Sequence, residues 1–174
     1  MSEQITSKDI ARMIDHSLLH PTLTDAELAE GCKLAETYGV ASVCVKPYHT
    51  QLAARLLAGS DVLVGAVIGF PHGNSTIELK KAEALQVMAD GAVEVDMVIN
   101  IAKAREHDWK YLERELTAVH DAVKGRGAML KVILATDFLD DEEIIALCEL
   151  GTRVGVEFVK TSTGYFAIGH SSRV

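Results

Sequence analysis

Short, almost wholly apolar runs alternate with longer amphipathic ones from residue 14 to residue 163, and this rhythm limits the fold more than any single residue does. The apolar runs are 14–19, 41–45, 62–70, 93–99, 129–135 and 158–163. Strands buried on both faces read this way, and they belong to parallel sheets covered by helices. Helical patterns fill the gaps at 24–38, 48–57, 77–89, 109–123 and 140–154, after a short leading helix at 7–13 capped by Ser7. Thr24 stands three residues before Glu27, the spacing of a capping box, and Gly39 ends that helix. In 77–89, Ala82, Leu85 and Ala89 share one helical stripe; in 140–154, Ile144, Leu147 and Cys148 share another.

About six strands with five intervening helices leave two architectures, a doubly wound open sheet or a (β/α)8 barrel. Neither a G-x-G-x-x-G fingerprint nor a P-loop is present. Polar residues favour the barrel. Lys46, Asn100, Thr136 and Thr163 fall at C-terminal strand ends, while Asp96, Lys131 and Lys160 fall within strands. A barrel gathers these on one interior and one rim. With 174 residues and 48% hydrophobic content the chain builds one core, so residues 1–174 read as a single domain with an atypical tail at 165–174.

The balance of charge bounds the partners. A net charge of -8 argues against nucleic acid, yet it leaves room for a small phosphorylated substrate held by backbone amides. Cys32, Cys44 and Cys148 are scattered and odd in number, so neither a disulfide framework nor a zinc site is expected. The longest apolar run, 62–70, falls well short of the ~20 residues that span a membrane, and residues 1–10 lack the pattern of a secretory signal. The expectation is a cytoplasmic protein with no membrane partner.

Three successive strands carry an ionisable residue where an aliphatic one is cheaper. Asp96 shares strand parity with Val98 and Asn100, opposite to Val95, Met97 and Ile99. A carboxylate there needs a cation, and an Asp96–Lys131 ion pair in the core is one reading. Lys160, in F-V-K-T-S-T-G, is either a strand-end lysine reaching solvent or an amine whose pKa is lowered by burial and a neighbouring cation. Such an amine forms a Schiff base with a carbonyl substrate, and Asp96 can relay the protons. Asp15 either faces the same interior or caps or pairs locally. His16 and His20 read as structural or surface histidines, Cys44 as a small hydrophobe, and the 69–73 run G-F-P-H-G as a turn.

The runs I-D-H-S-L-L, S-V-C-V-K-P, V-I-G-F-P-H-G, G-A-V-E-V-D-M-V-I-N, L-K-V-I-L and F-V-K-T-S-T-G, in this order and spacing, resemble deoxyribose-phosphate aldolase. The resemblance covers residues 10–164. It implies a class I aldolase on a (β/α)8 barrel that cleaves 2-deoxy-D-ribose 5-phosphate to D-glyceraldehyde 3-phosphate and acetaldehyde, a step of deoxyribonucleotide catabolism. It further implies Lys160 as the Schiff-base lysine, Asp96 as the proton relay, and Lys131, Thr163, Asp15 and Cys44 as residues lining the site. Gly164 would begin the loop that holds the substrate phosphate, and neither metal nor cofactor is required.

Two departures accompany the resemblance. The family has glutamate where Ala135 stands, and after Gly164 the chain reads Y-F-A-I-G-H-S-S-R-V in place of the family's continuation, with its second lysine and further phosphate-binding residues. The expectation is a barrel lacking its C-terminal part, with weak activity or none. The alternative is a non-catalytic remnant, or a homo-oligomer in which chains pair through open sheet edges.

Overall fold

The computed structural model describes residues 5–165. Six parallel strands, β1 (Asp15–Leu18), β2 (Ser42–Val45), β3 (Leu63–Ile68), β4 (Glu94–Val98), β5 (Met129–Ile133) and β6 (Phe158–Lys160), pair in chain order. The helices are α1 (Ser7–Ala11), α2 (Asp25–Tyr38), α3 (Thr50–Leu56), α4 (Ile77–Ala89), α5 (Ile101–Arg105), α6 (Trp109–Lys124) and α7 (Asp141–Val154).

Local chemistry sets the helix boundaries. Thr24 and Glu27 form the expected capping box, and Gly39 closes α2 in the left-handed region. Asp140 with Glu143 does the same at the start of α7. On α1 the cap is Thr6, paired with Asp9, one residue earlier than expected. The stripe read on α4 is also displaced: Ala82 and Ala89 are exposed, and the buried residues are Lys80, Ala84 and Val87. Its cause is a buried lysine, which no apolar pattern can reveal. The five-residue α5, capped by Asn100, was not expected.

The sheet curls strongly. Adjacent strands lie about 4.8 Å apart, so a flat sheet would separate β1 from β6 by roughly 24 Å. Yet Lys160 Nζ on β6 lies 3.3 Å from Asp15 Oδ2 on β1. The core fills the layer between the outer sheet face and the helices, where Leu18, Val43, Val45, Val64, Ala66, Ile68, Val95, Met97, Leu130 and Val132 pack against Leu28, Val87, Leu112, Leu116 and Leu147. Alternation then leaves Asp15, Ser42, Cys44, Glu94, Asp96, Lys131 and Lys160 on the opposite, concave face. This is the inner wall of a β/α barrel over six strands, as expected. The tail from 166 to 174 lies outside the described residues.

Candidate active site

Each ionisable residue on the concave face is placed by strand parity and by register. Asp96 is opposite Lys131, and Lys160 is opposite Ile133. Lys160 Nζ donates to Asp96 Oδ2 at 2.5 Å and to Asp15 Oδ2 at 3.3 Å. Its side chain is 30% exposed, whereas that of Asp96 is 2% exposed. The amine therefore opens toward solvent while its partner lies beneath it.

Lys131 does not pair directly with Asp96. Its ammonium donates to Glu94 Oε2 at 2.7 Å and to both Asp15 oxygens at 3.0 Å. Ser42 Oγ donates to Asp15 Oδ1 at 2.8 Å, and Cys44 Sγ contacts Asp96 Oδ2 at 3.7 Å. Asp15, Cys44, Asp96, Lys131 and Lys160 thus meet in one network. Glu94 and Ser42 were missed. The signal for Glu94 was present, because in V-E-V-D it stands two residues before Asp96 and shares its face.

Electrostatics follow from this packing. Burial works against the Lys160 ammonium, but the Asp96 carboxylate outweighs it and holds the lysine above its ordinary pKa. The expected lowering by a neighbouring cation is not what the geometry produces: Lys131 shares Asp15 Oδ2 with Lys160, but the carboxylates of Asp96 and Asp15 in contact with Lys160 prevail. For Asp96, burial pushes the carboxyl up, and the charge of Lys160 only partly offsets it. Burial also opposes the charge of Asp15, yet hydrogen bonds from Lys131 and Ser42 prevail and keep it low. Lys131 loses by burial and gains more from Glu94 and Asp15, so it stays charged. Burial, followed by the Asp96 charge, pushes the Cys44 thiol far up, which keeps it a neutral donor and no nucleophile.

Thr163 is buried, and its Oγ1 accepts from the Tyr165 N–H at 3.2 Å. Gly164 is exposed at φ 77°, its N–H turned to Ser162 Oγ at 3.3 Å. Lys46 ties down a loop through the His20 and Leu23 carbonyls. His16 lines a separate cleft of about 270 Å³ between α1 and α2, and His20 bonds Thr22, so neither joins the site. The 69–73 run is a turn, closed by Gly73 N–H to Gly69 C=O at 2.8 Å. Beyond the C-terminal ends of β1 to β3 a cleft of about 350 Å³ is lined by Leu19, Tyr48, Val67, Phe70 and Tyr165. Val67 is the register partner of Asp96, so the cleft adjoins the network. Among the described residues, no group of three His, Cys, Asp or Glu side chains is arranged to hold a metal ion.

The family model for DeoC/LacD family aldolases matches residues 10–173. The chain belongs to the DeoC/LacD aldolase family. It is similar to the deoxyribose-phosphate aldolase of Rhodopirellula baltica, at 47% identity over 90% of this chain and 65% of that protein. It is also similar to deoxyribose-phosphate aldolase 1 of Bacillus licheniformis, at 48% identity over 96% of this chain and 74% of that one. Among solved structures, the tetrameric deoxyribose phosphate aldolase of Aeropyrum pernix superposes with a TM-score of 0.87 at 31% identity, over 93% of this chain and 68% of its own. The chain thus spans about two thirds of the length of these DeoC/LacD relatives, and its concave sheet is the corresponding part of their barrel.

Proposed function

We propose that this chain is a class I aldolase that cleaves 2-deoxy-D-ribose 5-phosphate to D-glyceraldehyde 3-phosphate and acetaldehyde through an imine on Lys160. The observation that carries this reading is the contact of a solvent-reaching lysine with a buried carboxylate. Membership of the DeoC/LacD family and the names of the relatives supply the substrate.

A resting ammonium cannot attack a carbonyl, so the lysine must first lose a proton. Asp96 is built to take it: burial makes its carboxyl a better proton acceptor than an ordinary aspartate. The free Lys160 nitrogen then adds to the aldehyde carbon of the open-chain sugar, and loss of water gives a protonated imine. Removal of the proton from the hydroxyl on the third carbon breaks the bond between the second and third carbons. Its electron pair flows into the imine, and glyceraldehyde phosphate leaves. Protonation of the resulting enamine and hydrolysis of the imine release acetaldehyde and restore the lysine. Asp96, acting through water, is the group within reach for these transfers. Lys131 and Asp15 hold the surrounding charge in place, Cys44 supplies a neutral donor to Asp96, and Thr163 and Gly164 shape the loop toward the substrate phosphate.

The described residues contain no helix long and apolar enough to cross a membrane, in keeping with a cytoplasmic enzyme. Phe158 and Val159, exposed on β6, favour a homo-oligomer over an isolated chain.

The test is acetaldehyde release from 2-deoxy-D-ribose 5-phosphate, followed by coupled reduction in the native chain and in Lys160→Met. Release by the native chain alone is expected. Equal release by both, or none from native protein shown to be folded, would overturn the reading, and the second outcome leaves a non-catalytic chain.

A further inference from the structure

We propose that Glu94 is a positioning residue whose carboxylate holds Lys131 out of contact with Asp96, so that the ammonium in contact with Asp96 is that of Lys160. Register sets Lys131 directly opposite Asp96 on the neighbouring strand and on the same face. An ammonium so placed has Asp96 as its nearest cross-strand carboxylate. Its Nζ instead reaches Glu94 Oε2 at 2.7 Å, with Asp15 at 3.0 Å completing its partners.

The seat of Glu94 is built for it. Gly65 is its register partner on β3, and a Cβ there would stand 3.3 Å from Glu94 Oε2 and 3.4 Å from the Val43 carbonyl oxygen. Gly65 has no positive φ, so room rather than backbone freedom explains the glycine. The carboxylate it admits is buried.

Charge counting gives the consequence. Glu94, Asp15 and Asp96 face Lys131 and Lys160, with the neutral Ser42 and Cys44 beside them. With Glu94 neutral, Lys131 keeps Asp15 and turns to Asp96. Lys160 then shares its base with a second cation, and Asp96 becomes a poorer proton acceptor. The kinetic consequence rests on the imine chemistry proposed above; the placement of Lys131 does not.

The experiment is a double-mutant cycle of Glu94→Gln and Lys131→Met with two readouts, the carbon-13 titration of the Asp96 carboxyl and the rate of borohydride-trapped imine with acetaldehyde. Glu94→Gln is expected to lower the Asp96 midpoint and to slow trapping on the order of tenfold in the native background. In the Lys131→Met background it is expected to move the midpoint much less and to leave trapping unchanged. Equal effects in both backgrounds, or an unmoved midpoint in the native background, would overturn the proposal. If Glu94→Gln does not fold, Glu94→Asp, which keeps the charge but withdraws it by one methylene, enters the same cycle with the same criteria. A native chain that traps no aldehyde would sink the imine reading, while the Asp96 titration would still decide the role of Glu94.

Discussion

Lys80 and Lys160 each lie against a buried carboxylate, one on each side of the sheet, and they are held in opposite ways. Lys80, on α4, is sealed between sheet and helices, where its ammonium donates to Glu115 Oε1 and to the Val98 carbonyl, both at 2.7 Å. Glu115 Oε2 accepts the Asn100 N–H at 2.9 Å, and both side chains are 0% exposed. Burial dominates there, drawing the Lys80 pKa down and pushing that of Glu115 up, each partly opposed by the other. Lys160 instead has two carboxylates and an opening to solvent. A pair closed on every side ties elements together; a pair open on one side can exchange a proton with something that enters.

That contrast is broken most directly at Lys160. Lys160→Met is expected to abolish the site-specific acetaldehyde adduct, as read by peptide mapping after borohydride, because no other lysine of the network opens to solvent. Next comes Lys80→Met, which strands a buried carboxylate and should remove about 3–5 kcal/mol of stability in urea unfolding. The double variant Lys80→Met with Glu115→Leu should lose less than Lys80→Met alone, since no uncompensated charge remains. Trapping on Lys160 per folded molecule should survive in both Lys80 variants, which separates the two lysines by readout.

Asp96→Asn keeps the shape and removes the proton acceptor, and imine formation should slow by about 100-fold in stopped trapping. Smaller still is the helix cap: Thr24→Ala should cost about 1 kcal/mol without changing the trapping rate. The smallest effect concerns acid. Asp15 titrates below the ordinary aspartate value because hydrogen bonds from Lys131 and Ser42 overcome its burial. Its stabilisation is complete above the unfolded-state value of about 3.9 and is lost as pH falls through the lower folded value. The stability gap between the native chain and Asp15→Asn should therefore close below about pH 4, as followed by acid unfolding.

Much of the concave face was legible because period-two alternation is a strong constraint. Once β4 was placed, the side of Asp96 followed, and with it the side shared by Lys131 and Lys160. Ion-pair partners were less legible. Register puts Lys131 beside Asp96, but a lysine stem spans several ångströms, and its ammonium settled on Glu94 and Asp15 instead. The charge state of Lys160 differs from expectation for a related reason: Lys131 stays close, sharing Asp15 Oδ2 with it, but the carboxylate contacts of Lys160 outweigh that cation. Lys80 was invisible from the sequence, because a buried lysine on a helix has the same polar letter as an exposed one. Only the flanking Ala84 and Val87, four and seven residues on, marked the inward face of α4.

The measurement closest to the central claim is peptide mapping of the chain after borohydride reduction in the presence of acetaldehyde. A two-carbon adduct on Lys160, absent from Lys131 and Lys80, is the predicted result. An unmodified Lys160 in folded protein, or an adduct spread over surface lysines with no preference for it, would contradict the account.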